Sequence, residues 1–147
     1  QGSTKMTMGT HDIYATYTGG SADEEIVDIV TVLVNAAQGP TVNITSPNDQ
    51  AYISEYQNAP DVVVSVSGNA TAAAGGAITG GDLQWSYRET GTGNDFVDAG
   101  TGEDEQLTLR DQYCGSTGYD IRLTATDPGT GATASTLITI YIQAFGC

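Results

Sequence analysis

Basic residues are nearly missing from this chain: Lys5, Arg88, Arg110 and Arg122 stand against 18 Asp and Glu, for a formal net charge of −14. Such a field repels polyphosphates and anionic lipid, which excludes nucleic acid and acidic membrane surfaces as default partners. Cysteine is scarce too: Cys114 and Cys147 are too few for a disulfide scaffold and lack the spacing of a metal site. The single histidine, His11, has no Ser or Cys near it in a nucleophile motif, so no catalytic triad is expected and His11 reads as a surface residue. No apolar run reaches the roughly 18 residues that cross a bilayer, so no membrane span is expected. Helical periodicity is also lacking. No glycine-rich run follows a strand and opens a helix, so Gly75-Gly76 and Gly80-Gly81 are loops rather than phosphate cradles.

What is present is period-two alternation between turn clusters, the pattern of half-buried strands. After Gly39-Pro40, Thr41–Thr45 sets Val42 and Ile44 on one face and Asn43 on the other, and Ser46-Pro47-Asn48-Asp49 is a turn. Val62, Val64 and Val66 share a face of Asp61–Ser67; Leu83, Trp85 and Tyr87 alternate with Gln84, Ser86 and Arg88. Phe96-Val97 reads as a short strand and Gln106–Arg110 carries Leu107 and Leu109. Tyr119–Thr126 sets Ile121, Leu123 and Ala125 inward, and Ala134–Ile142 does the same with Ile138, Ile140 and Ile142. In order these are strands A, B, C, C′, E, F and G of an all-β sandwich. The 147 residues suffice for one such domain, residues 39–147, and an extension, residues 1–38.

With Trp85 on the third strand, an opening Pro40-Thr-Val-Asn-Ile-Thr-Ser-Pro47 and a Thr-Ala-Thr-Asp turn at Thr124–Asp127, the chain resembles the immunoglobulin-like modules of prokaryotic surface proteins. The resemblance covers about two thirds of the chain and is one of pattern. Val64 and Leu123 stand where a cysteine pair often joins the second and sixth strands of such domains. It implies an immunoglobulin-like antiparallel sandwich in an extracellular, repeat-type module that is not an enzyme. Gln1 fits a mature N-terminus left after signal cleavage.

The extension contains two more strand-like runs, His11–Thr18 and Ile26–Val34. Shifted by 108 positions without gaps, Asp12-Ile13 falls on Asp120-Ile121, Thr16 on Thr124 and Thr18 on Thr126. Val30-Thr31-Val32 falls on Ile138-Thr139-Ile140, and Val34 on Ile142. This reads as an internal repeat of the last hairpin. Ile26, Val30, Val32 and Val34 lie on one face of the second run and Val27, Ile29 and Leu33 on the other. A strand apolar on both faces has to be covered on both, and at an open edge it templates aggregation. Three placements are open: donation to a neighbouring copy, which gives a homopolymer by strand complementation; docking on its own sandwich; or closure of a preceding domain. The first makes these seven residues a subunit interface and the protein a filament or cell-surface subunit. The second suits a monomeric adhesion or carbohydrate-binding module.

Two sequons, Asn43-Ile44-Thr45 and Asn69-Ala70-Thr71, are candidate glycosylation sites; Asn43 points away from the apolar face and Asn69 is placed at the entry to the Ala/Gly-rich loop. Cys114 precedes the sixth strand by about as much as Cys147 follows the seventh, so a disulfide between them is expected, with an oxidising compartment. Asp23-Glu24-Glu25 and the group Asp95, Asp98, Glu103, Asp104 and Glu105 read as solvated loops; Ca²⁺ is the one ion they would hold, without EF-hand spacing. No other cofactor is expected. Tyr52 and Tyr56 are placed beside a loop, as packing residues or as stacking platforms for sugars.

Overall fold

A computed structural model describes residues 9–16, 27–34, 38–56, 61–110 and 115–145. Its strands are β1 (Gly9–Thr16), β2 (Val27–Val34), β3 (Thr41–Ser46), β4 (Tyr52–Tyr56), β5 (Asp61–Thr71), β6 (Ala77–Ile78), β7 (Leu83–Glu89), β8 (Val97–Thr101), β9 (Asp104–Arg110), β10 (Gly115–Thr126) and β11 (Thr133–Phe145). A single 3₁₀ turn, Gly80–Asp82, interrupts them among the described residues. Two compact units result, Gln1–Ala37 and Gln38–Cys147.

The larger unit is a sandwich of two sheets. One runs β4-β11-β10-β7-β8; in the other, β5 lies between β3 on one side and β6 and β9 on the other. Alternation dictates which residues meet between the sheets. Val62, Val64 and Val66 of β5 and Leu107 and Leu109 of β9 face Leu83 and Trp85 of β7, with Ile121 and Leu123 of β10 and Ile138, Ile140 and Ile142 of β11. Trp85 is 0% exposed and donates its Nε1–H to the Gly102 carbonyl at 2.8 Å, which satisfies the one polar group it carries inside. At Gly68 the backbone of β5 leaves no room for a side chain. A Cβ there would lie 2.5 Å from Leu123 Cδ2 and 3.2 Å from the Trp85 ring, so only glycine fits this strand interior.

The first long strand divides. β3 pairs antiparallel with β5, the chain crosses at Ser46-Pro47, whose peptide is cis, and β4 then pairs parallel with β11. That parallel pairing corrects the expectation of a wholly antiparallel sandwich. Before β4 takes over, a side chain continues the ladder: Asp49 Oδ1 accepts the Thr139 N–H at 2.8 Å, while the Gln50 N–H donates to the Thr139 carbonyl. At the opposite end, Tyr119 Oη donates to the Arg110 carbonyl at 2.6 Å, tying the start of β10 to the end of β9. Burial raises the Tyr119 phenol above its ordinary pKa.

Two further positions differ from the sequence reading. Asn69 is inside β5 rather than in a loop, because alternation continues through Gly68 and Ala70 to Thr71. Tyr52 and Tyr56 belong to β4 rather than flanking a loop.

Candidate functional site

The smaller unit is a hairpin. β1 and β2 pair antiparallel as a two-stranded sheet, with Gly9 opposite Val34, Asp12 opposite Thr31 and Thr16 opposite Val27. Of the seven positions read as a subunit interface, Val27, Ile29, Val30, Val32, Leu33 and Val34 lie in β2, and Ile26 lies outside the described residues. Two strands joined only to each other are at best marginal in water, and three or more strands or a covering layer are needed for stability. The backbone therefore assembles the element that sequence singled out, as a two-stranded sheet among the described residues.

The two sequon asparagines come together. Asn43 of β3 and Asn69 of β5 are direct cross-strand partners, both exposed on the outer face of the sheet. Around them the outward positions are short and polar: Thr41 is opposite Thr71, and Ser67 is opposite Asp104 and donates to its Oδ1 at 2.6 Å. Cys114 and Cys147 lie outside the described residues, as do Asp23, Glu24 and Glu25. The nearest described pair to the cysteines is Gly115 opposite Ala144. His11 lies in β1, opposite Val32.

The outer face of the five-stranded sheet holds a cluster that sequence reasoning missed. Asp120 of β10 is 7% exposed and accepts from Arg88 Nε at 3.1 Å, Thr90 Oγ1 at 3.0 Å and Thr139 Oγ1 at 3.0 Å. Three donors from three segments offset the cost of taking a carboxylate out of water. Arg88 and Arg122 both lie over Phe96, with Cζ atoms 4.6 and 3.9 Å from the ring centroid, and Arg122 Nε donates to Ser86 Oγ at 3.1 Å. A Cβ on Gly118 would meet Thr90 Oγ1 at 3.2 Å and the Tyr141 ring at 3.4 Å, so this face is tightly packed as well. Tyr52, 65% exposed, stacks on Tyr141 with ring centroids 5.0 Å apart. Only part of the signal for Asp120 lay in the sequence: its outward phase on β10 was legible, while the register that sets it opposite Arg88 and Thr139 was not. Phe96 precedes β8, outside any alternating run, and left no such sign.

Arg88 and Asp120 neutralise each other, and hydrogen bonds and ring contacts join the rest of the cluster. Among the described residues no three His, Cys, Asp or Glu side chains converge on a point where an ion would sit, and no helix is long and apolar enough to cross a membrane. Comparison with known families, curated proteins and solved structures finds no match. The reading of function therefore stands on the geometry of the chain itself.

Proposed function

We propose that the protein is a structural subunit of an extracellular filament or cell-surface assembly, an immunoglobulin-like module joined head to tail to its neighbour through the N-terminal hairpin. The observation that carries this is the hairpin itself. Six of the eight residues of β2 are Val, Ile or Leu, with Asp28 and Thr31 the exceptions, yet among the described residues its one ladder partner is β1.

 A strand of this composition requires cover on both faces, and backbone addition with alternating side-chain pockets is the usual way neighbours supply it.

The immunoglobulin-like assignment is supported by particular features of the larger unit. The first strand divides between the sheets as β3 and β4, Trp85 is buried on the third long strand, and the Tyr119 hydroxyl reaches back to Arg110 in the manner of a tyrosine corner. Glycans on Asn43 and Asn69, a Cys114–Cys147 bridge and an extracellular location belong to the same reading. Exposure and pairing of the two asparagines support the first, and the framing of both cysteines by the Gly115–Ala144 end of β10 and β11 supports the second. The alternative, a monomeric adhesion or carbohydrate-binding module, is favoured by one observation, the exposed Tyr52–Tyr141 stack.

Deletion of residues 1–38 separates the two. The assembly reading predicts a folded monomer that no longer polymerises, seen as a single species in analytical ultracentrifugation. Unchanged polymerisation of the truncated protein contradicts it.

A further inference from the structure

The two hairpins of this chain share one pairing register. Moved by 108 positions, Gly9 opposite Val34 becomes Thr117 opposite Ile142, and Thr16 opposite Val27 becomes Thr124 opposite Ser135. The pairs between follow: Asp12 and Thr31 fall on Asp120 and Thr139, and Ile13 and Val30 fall on Ile121 and Ile138. A slip of one residue in either strand would break the coincidence and turn every side chain to the opposite face. Composition explains why two hairpins are rich in Thr, Val and Ile; it does not explain a common register.

In the larger unit those positions have defined neighbours. β10 is flanked by β7 and β11 by β4, and Ile121, Ile138, Ile140 and Ile142 pack into a core completed by β5 and β9. In the first hairpin, Ile13, Val30, Val32 and Val34 hold the corresponding register positions. A copy of this hairpin thus calls for a framework equivalent to β3–β9. Within Gln38–Cys147 that place is already filled by β10 and β11.

We infer that β1 and β2 are the closing hairpin of a second sandwich of the same fold, whose other strands lie earlier in the same polypeptide. The protein is then an array of such units, with residues 35–40 as the connection from the last strand of one to β3 of the next. This goes beyond the assembly reading and competes with it on one point: the framework that covers β1 and β2 belongs to the chain's own preceding unit rather than to a neighbouring copy, and the experiment below separates the two.

The test supplies the strands called for. Residues 38–110, a surrogate framework, are fused ahead of Gln1 of the full chain, and amide hydrogen exchange is read in β1 and β2. Protection there should rise ~100-fold or more over the unfused chain as the hairpin enters a cooperative unit, and the added copy of Trp85 should become buried by fluorescence. The same fusion with one alanine inserted after Ile29, which shifts the register, should lose that protection. As a second variant, residues 9–34 replace residues 117–142 in the full chain, and Trp85 should remain buried. Unchanged exchange in β1 and β2 overturns the inference, as does equal protection in the register-shifted fusion, or failure of both the fusion and the replacement to fold. A chain that still polymerises through its hairpin in those cases leaves the assembly reading standing; loss of hairpin-dependent polymerisation alone removes the assembly reading.

Discussion

Asp49 shows how one side chain substitutes for a strand. Its carboxylate accepts the Thr139 N–H at the edge of β11, and that bond, more than any other influence, holds its pKa below the ordinary carboxylate value. Because the folded pKa is the lower one, the contribution is complete above the unfolded value of about 3.9 and is lost as pH falls through the folded value. An NMR titration should place the Asp49 midpoint below about 3.9, and Asp49→Asn should remove that part of the acid sensitivity; a midpoint at or above it contradicts the role. The paired sequons carry a second expectation at this scale. Directly opposed residues on one sheet face have Cβ atoms about 5 Å apart, so a sugar on Asn43 crowds Asn69 and the reverse. Intact mass of the native protein should show at least one glycan, with singly modified chains predominant. A mass equal to the bare polypeptide refutes it.

Strands were legible wherever one face is buried and the other wet. Val62, Val64 and Val66, then Leu83 and Trp85, then Ile138, Ile140 and Ile142 announce β5, β7 and β11 by alternation alone. β4 escaped because Tyr52–Tyr56 mixes polar and aromatic residues at a sheet edge, with Ile53 and the preceding Ala51 packed against the core. β6 is two residues long, too short to carry a period. The Asp120 cluster was hidden for another reason: its partners come from β7, the following turn and β11, and only their register brings them together. Register also bears on the cysteines. Cys114 immediately precedes Gly115, and Cys147 follows its partner Ala144 by a short step. One disulfide is expected, closing a loop of about 33 residues and stabilising the fold by roughly 3–4 kcal/mol in the chain-entropy model. Non-reducing peptide mapping should recover the Cys114–Cys147 peptide; two alkylatable thiols or a Cys147–Cys147 dimer contradict it.

At the scale of the whole molecule, a folded sandwich and a hairpin in need of cover occur in one polypeptide with a charge of −14. Like charges repel, which makes nonspecific association between copies costly. In the proposed assembly, association depends on a directional contact, and the hairpin is the element whose composition and pairing call for one. A contact between two different surfaces of identical units does not close on itself and extends as a fibre. Electron microscopy of the native material tests this most directly. The account predicts linear assemblies of sandwich-sized units in series, lost when residues 1–38 are removed; dispersed single particles in the native material would contradict it.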